Sequence, residues 1–316
     1  MLAGWPAATP ALAQGAANYP VKPVRFIAPF PPGGSTDLLA RLVAQKLTEA
    51  WGQQVLVENR GGAAGTIGVE IAARAAPDGY TIVMGHVGTF GVNPTLYPKL
   101  PYDAVKDFAP VTVLATVPNA MAVHPSLPVK TARDFITLAK ARPGELLYAS
   151  GGSGSASHLA GEYFKLMTKI NMVHVPYKGT APAMASMISG ETTMTITGMV
   201  ALGPHVKSGR LKLLGVATMK RLAIAPNVPT IDESGVPGYE ANQWYGVLTQ
   251  AAVPRDIVTK LHADIVKVMA RADVRDRLAA DGAEAVANTP EQFAAHIKSE
   301  IARWAPVVKA SGAKPD

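Results

Sequence analysis

Val24-Arg25-Phe26-Ile27-Ala28-Pro29-Phe30-Pro31-Pro32-Gly33-Gly34-Ser35-Thr36-Asp37 passes from a β-prone run into a loop of prolines, glycines and hydroxyls. The residues that follow put Leu38, Leu39, Leu42, Val43 and Leu47 on one helical face. A strand, a loop and an amphipathic helix open a βαβ unit. Gly52 ends the helix, residues 54–58 supply a second strand and residues 59–62 a turn. A short helix over 67–74 and the Pro77-Asp78-Gly79 turn then lead to a third strand over 80–84. This alternation implies right-handed crossovers and a parallel sheet.

A Pro- and Asn-rich stretch over 92–110 precedes two β-prone runs, 111–117 and 120–124, broken at Pro118-Asn119. The break is a candidate crossing point between lobes. The alternation then resumes with a helix from Thr131, strands over 146–149, 172–175, 192–197 and 211–217, and helices from about Ser157, about Ala181 and over 200–208. Residues 220–240, rich in Pro and Gly, wrap the surface before the run 244–249. Two amphipathic helices close the chain, one near Pro254 (Ile257, Leu261, Ile265, Val268, Met269) and one near Pro290 (Phe293, Ile297, Ile301, Trp304), each proline suiting the first helical turn. The expected architecture is α/β with two lobes and a mainly parallel sheet in each. Lobe one takes 19–117 and 241–316, lobe two takes 118–240, and 1–18 is a tail.

With 48% hydrophobic and 17% charged residues the 316-residue chain is globular, and no apolar run of about 18 residues offers a membrane span. The net charge of +7 is scattered, without a dense basic run or interleaved aromatics, which argues against nucleic acid. The absence of cysteine excludes disulfides, thiol catalysis and thiolate metal sites. Ala11-Leu12-Ala13 before Gln14 fits a signal-peptidase site, but residues 1–10 lack a basic start and a strong apolar core. Two readings stand: the tail of a longer signal sequence, or an unstructured N-terminus.

A second loop resembles the first in composition. Ser150-Gly151-Gly152-Ser153-Gly154-Ser155-Ala156-Ser157-His158 has four serines and three glycines in its first eight residues, more than a turn requires. Both loops sit between a strand and a helix, where orphan amides and the positive end of the helix dipole favour a carboxylate or phosphate. In the first, Gly33 and Gly34 permit positive φ, Ser35 and Thr36 add donors, and Thr36 or Asp37 serves as an N-cap. Neither loop holds Arg or Lys, so recognition rests on neutral donors. Five hydrogen bonds to a charged acceptor contribute roughly 8 to 15 kcal/mol before association costs, consistent with affinity near the micromolar range.

Enzyme motifs are weaker. Gly151-Gly152-Ser153-Gly154-Ser155 misses the last position of G-x-S-x-G, and His158 with Glu162 lacks the H-E-x-x-H frame of a zinc site. Neither G-x-x-x-x-G-K-[ST] nor G-x-G-x-x-G occurs. Lys178, within Val175-Pro176-Tyr177-Lys178-Gly179-Thr180, fits either a charged ligand contact or an exposed turn.

The first loop, together with Glu58-Asn59-Arg60-Gly61-Gly62-Ala63-Ala64-Gly65, Pro77-Asp78-Gly79-Tyr80-Thr81, Asp107-Phe108-Ala109-Pro110-Val111 and Val175-Pro176-Tyr177-Lys178-Gly179, closely resembles the Bug family from about Tyr19 onward. These are substrate-binding proteins of tripartite tricarboxylate transporters. The resemblance implies an exported, periplasmic Venus-flytrap protein of type II-like fold, which favours the signal-peptide reading of Ala11-Leu12-Ala13. It implies no catalysis, no cofactor and no metal, and as partners a small carboxylate and the membrane components of the transporter. A monomer is expected. First-lobe contacts fall in residues 30–37, with Phe30, Gly33, Gly34, Ser35, Thr36 and Asp37 as candidates, and at Gly65, Thr66, His86 and Thr89. Second-lobe contacts are Ser150, Ser153, Gly154, Ser155, Ala156, Ser157 and His158, then Tyr177, Lys178 and Gly179, then Thr197, Gly198 and Met199. Trp244 would lie near the lobe junction. The competing reading is a carboxylate-processing enzyme on the same scaffold. Against it, the loops hold no acid/base pair, since Asp37 suits a helix cap.

Overall fold

The computed structural model describes residues 18–315; the Ala11-Leu12-Ala13 segment lies outside the described residues. β1 (Val24–Ala28) pairs in parallel with β2 (Val55–Asn59) on one side and β3 (Thr81–His86) on the other. The crossovers are α1 (Ser35–Trp51) and α2 (Thr66–Ala73). Gly52, at φ 64°, closes α1 in the left-handed geometry that glycine adopts without steric cost. After β3 the chain makes a π-helical turn (Val87–Val92) and a single α turn, α3 (Asn93–Leu96).

β4 (Phe108–Val117) begins three residues earlier than its apolar run, taking in Pro110 at an irregularity in the ladder, where a missing N–H is tolerated. Pro118 then carries the chain into a second sheet. That sheet holds β5 (Asn119–Val123), β6 (Leu147–Ser150), β7 (Val173–Pro176), β8 (Met194–Gly198) and β9 (Lys212–Val216), in the order β7-β6-β8-β5-β9. Its helices are α4 (Ala132–Ala141), α5 (Ala156–Thr168), α6 (Thr180–Ser189) and α7 (Met199–Lys207). The chain returns to the first sheet with β10 (Gln243–Gln250), followed by α8 (Arg255–Met269), α9 (Ala272–Ala280), β11 (Glu284–Ala285) and α10 (Pro290–Ser311). The first sheet reads β11-β4-β10-β3-β1-β2.

Each sheet has the expected parallel core, β2-β1-β3 in one and β7-β6-β8 in the other. The strands that cross between sheets, β5 and β10, run antiparallel to both neighbours, so both sheets are mixed. A strand arriving from the other lobe has no crossover helix to enforce parallel entry. α9 and β11 were absent from the sequence reading. α9 buries only Val274 and Leu278, and β11 has two residues, so neither carries a strong periodic signal. Pro254 is the residue before α8, whereas Pro290 does occupy the first turn of α10.

Alternation sorts each sheet's side chains between two cores. Phe26, Ile82, Met84 and Val247 pack under α1, α8 and α9, while Ile27, Val83 and Leu248 face Phe293, Ile297 and Trp304 of α10. In β5, Met121 and Val123 join that second core and Ala120 and Ala122 face Met184, Met187 and Leu202. α10 also reaches the other sheet's elements: Trp304 meets Tyr163 of α5 edge-on at 6.4 Å and Arg303 Nη2 donates to Glu240 O at 3.1 Å.

Candidate ligand-binding site

Both glycine and hydroxyl loops leave the carboxyl ends of parallel strands, the position where open α/β sheets present ligand crevices. They face each other across a small pocket of about 30 Å3. Phe30, Pro31, Gly34, Ser35 and Thr36 line it from the first loop, and Gly151, Ser155, Ala156 and Ser157 from the second. His86, Thr197, Thr180, Gln243 and Tyr245 complete it. This lining contains no Asp, Glu, Lys or Arg. Three helices begin at it, α1 at Ser35, α5 at Ala156 and α6 at Thr180, so their first-turn amides and positive dipole ends converge on one volume.

Gly33 supplies the positive φ of the first loop, at 87°, and its N–H donates to Asp37 Oδ2 at 3.0 Å. Gly34 is extended at φ −90°, so the freedom expected of both glycines is used by one. Asp37 is 3% exposed and braces the loop: Oδ1 accepts from Asn59 Nδ2 and Arg41 Nε, each at 2.9 Å. Burial opposes its ionisation, but the bonds from Arg41, Gly33 and Asn59 prevail and hold its carboxyl below the usual range. Its carboxylate is thereby committed inside the loop, and Asp37 does not line the pocket.

The second loop takes positive φ at Gly152 and Gly154, and hydrogen bonds within the loop set its shape. Gly151 N–H donates to Ser157 Oγ at 3.0 Å, Gly154 N–H to His158 Nδ1 at 2.9 Å, and His158 N–H to Ser155 Oγ, the α5 cap, at 3.3 Å. His158 stacks on His174 at 4.1 Å, and Ser150 Oγ lies 2.6 Å from His174 Nε2. Ser150, Gly154 and His158 therefore build the loop from beneath and Ser153 is buried outside the pocket lining, while Ser155, Ala156 and Ser157 meet the pocket.

His86 ends β3 and is 4% exposed. Burial drives its imidazolium pKa down to about 3, so the ring is neutral at physiological pH. Gly88 N–H donates to its Nδ1 at 2.8 Å, which leaves the proton on Nε2. The ring packs between Phe30 at 4.7 Å and Tyr245 at 5.8 Å. Thr89 does not reach the pocket: its hydroxyl caps the turn, donating to His86 O and accepting from His86 N–H, both at 3.2 Å.

Sequence reasoning missed Gln243 and Tyr245. The register of β10 sets Tyr245 opposite His86, and strand alternation puts Gln243 on the same face. Trp244, between them, points the other way; its Nε1–H donates to buried Glu300 Oε2 at 3.0 Å, and it is a core residue, not a pocket residue. Gln243 Nε2 donates to Asn119 Oδ1 at 2.5 Å, Tyr245 donates its hydroxyl proton to Gln243 Oε1, and Asn119 Nδ2 donates to Ala241 O at 2.7 Å. This chain of bonds joins the first residues of the two crossing strands. Burial pushes the Tyr245 phenol well above its ordinary pKa, so it stays a donor. Thr180, the first residue of α6, was also unassigned, whereas Gly151 lies within the second loop, 150–158, that was expected to meet the ligand.

Gly65, Tyr177, Lys178 and Gly179 line a second chamber that adjoins the pocket at Phe30, Pro31 and Gly151. Thr66 is buried at the start of α2, Met199 packs in the core under α6 and α7, and Gly198 is closed off by Ser35 Oγ, which a Cβ there would meet at 3.1 Å. These three, with Gly33, stand outside the pocket lining.

Two mixed α/β sheets closing on an uncharged, donor-rich pocket define a two-lobed solute-binding protein. Residues 39–313 match the model of the tripartite tricarboxylate transporter family receptor (TctC), and the chain belongs to that family. Its members are substrate-binding proteins, not enzymes. The chain is 37% identical over 298 residues to Protein BugT of Bordetella pertussis (strain Tohama I), covering 94% of this chain and 91% of that protein. It also resembles R. palustris Rpa4515 solved with adipate, with a TM-score of 0.91 at 38% identity and 94% and 100% coverage of the two chains. A third likeness is to MatC (Rpa3494) from Rhodopseudomonas palustris with bound malate, TM-score 0.88 at 33% identity, covering 92% and 100%.

Proposed function

We infer that the protein captures a small carboxylate outside the cytoplasm, between lobes formed by residues 19–117 with 241–316 and by 118–240. It then delivers the solute, as a monomer, to the membrane components of a tripartite tricarboxylate-type transporter. The observation that carries this reading is the convergence of three helix N-termini on a pocket lined without a single charged side chain. An anion there meets neutral donors and dipole ends with no carboxylate to repel it. Ser35, Thr36, one of the mutually bonded pair Ser155 and Ser157, Thr180 and the Nε2–H of His86 supply the hydrogen bonds. Neutral donors hold a carboxylate firmly enough for capture and loosely enough for release. The malate and adipate seen in relatives are of this chemical class.

Mass spectrometry of the species released on denaturing the purified protein, followed by calorimetry with that species, tests the reading. A carboxylate at a hundredfold excess over its Kd adds about 2.7 kcal/mol of stability and raises Tm. A screen in which only nucleotides or metal ions stabilise the fold, or in which the bound species is turned over, overturns it.

A further inference from the structure

Beneath the second loop three rings form a column: Tyr148 of β6 stacks on His174 of β7 at 4.8 Å, and His174 stacks on His158 of α5 at 4.1 Å. Each imidazole holds the loop, and the two answer a proton differently. His158 Nδ1 accepts from Gly154 N–H at 2.9 Å, so a proton on that nitrogen would face another donor and break the bond. His174 Nε2 lies 2.6 Å from Ser150 Oγ. A charged His174 donates there, while Ser150 Oγ still accepts from Gly152 N–H at 3.2 Å and turns its own proton to Gly152 O at 3.3 Å. His174 can therefore carry a charge without disturbing the loop.

The titratable groups around the column leave that charge uncompensated. Glu162 of α5 accepts from the Tyr148 hydroxyl at 2.5 Å and from Lys165 Nζ at 2.7 Å, so carboxylate and ammonium offset each other. Burial and the Glu162 charge push the Tyr148 phenol far above its ordinary pKa, and it stays neutral. From the other lobe His86 stands behind Gly88, on which a methyl group would lie 3.2 Å from Gly154 O; burial keeps that ring neutral as well. Two imidazoliums 4.1 Å apart repel, so the stacked pair takes up one proton before a second. The first enters at His174, which is half-buried, whereas His158 is buried and bound at Nδ1.

We propose that His174 is the cation that the pocket lining lacks: protonated behind Ser150, on the far side of the loop from the ligand, it couples carboxylate capture to the uptake of one proton. The proposal rests on the carboxylate reading above and adds its regulation. His174 is a positioning residue that acts through the second loop, whose next residue, Gly151, lines the pocket. The coupling is reciprocal: a carboxylate in the pocket raises the proton affinity of the stacked pair as much as the proton raises the affinity for the carboxylate.

Calorimetry of the full chain with malate and with adipate at pH 8 and pH 6, each in two buffers of different ionisation enthalpy, tests this. Carboxylates stay ionised over that interval and imidazole titrates within it. Binding should tighten on the order of tenfold from pH 8 to pH 6, the effect of one charge acting across a few ångströms of protein. The buffer dependence should show proton uptake. His174→Gln, whose Nε2–H replaces the bond to Ser150 Oγ, should keep the affinity at pH 8 and lose the pH dependence. His158→Asn, whose Oδ1 replaces Nδ1 as acceptor for Gly154, should keep both. Affinity that is equal at the two pH values, or weaker at pH 6, overturns the proposal, as does a pH dependence that survives in His174→Gln or vanishes in His158→Asn. Failure of every carboxylate to bind at either pH would remove the carboxylate reading itself, and the proposal with it.

Discussion

A methyl group on Gly34 would stand 3.3 Å from Thr180 Oγ1 and 3.5 Å from Thr180 Cβ, so the residue before α1 and the first residue of α6 meet across the pocket. Gly34 is extended, and its backbone accepts any side chain without strain. What a side chain there opposes is closure. Gly34→Val should leave the circular dichroism spectrum intact and nearly abolish carboxylate binding. In small-angle scattering the wild-type protein should become more compact with ligand, while the variant keeps its unliganded radius. A variant that binds and compacts like wild type would show that Gly34 and Thr180 separate in the ligand-bound form.

His86 makes stability depend on pH with a definite sign. Its folded pKa, about 3, lies below the ordinary 6.5, so between those values the unfolded chain holds more protons. This contribution is fully present above pH 6.5 and falls as pH drops toward 3, by roughly 1.4 kcal/mol per unit. His205 and His296 are also held down by burial and add to the slope, so the comparison must be with a variant that lacks only the imidazole in question. His86→Gln should lose about 2 kcal/mol less than wild type between pH 7.5 and 5 in denaturant unfolding. Carboxylates held low, such as Glu58 at about 2 through its bond with Arg25, matter only below that interval. Equal pH slopes in the two proteins would mean that His86 is already protonated in the fold.

The parallel cores and both loops were legible because each lies within one strand-helix unit, where local periodicity carries the signal. The rest of the site was not, because Gln243 enters it through a bond to Asn119, 124 positions away in the chain. Trp244 shows the limit most directly: a shift of one residue in a strand reverses the face, and only pairing with β3 tells which face meets the pocket. Thr36, by contrast, faces the pocket as the loop composition suggested, and Asp37 turned inward because Arg41, Asn59 and Gly33 all bind it. Gly65, Tyr177, Lys178 and Gly179 were each legible as candidate contacts, but not the separate chamber they line, since its wall joins turns over a hundred residues apart.

Glu300 is 5% exposed and accepts from two indoles, Trp244 Nε1 at 3.0 Å and Trp304 Nε1 at 3.1 Å, tying α10 to β10. Glu300→Ala leaves both buried N–H groups unpaired, at about 1 to 3 kcal/mol each. Thermal unfolding should therefore move down by several degrees, with the carboxylate affinity of the folded fraction unchanged. Trp244→Phe should likewise spare binding. A large loss of affinity in Trp244→Phe would place the indole against the ligand after all.

Gln243 links three requirements in one side chain: it lines the pocket, holds Asn119 of the opposite crossing strand, and accepts the Tyr245 proton. Gln243→Glu is nearly isosteric, but it sets a carboxylate against Asn119 Oδ1, whose own amide cannot turn because Ala241 O holds it. It also places a negative charge beside a bound anion. Gln243→Glu should abolish carboxylate binding near neutral pH, where Gln243→Met, uncharged, should weaken it by only a few fold. In a double-mutant cycle of stability, Asn119→Ala and Gln243→Ala should show a coupling of about 0.5 to 3 kcal/mol, the range for side chains in direct contact. Additive effects on stability, together with equal loss of binding in the Glu and Met variants, would mean that the bond between the crossing strands contributes nothing to the folded state and that the charge at position 243 does not bear on the anion.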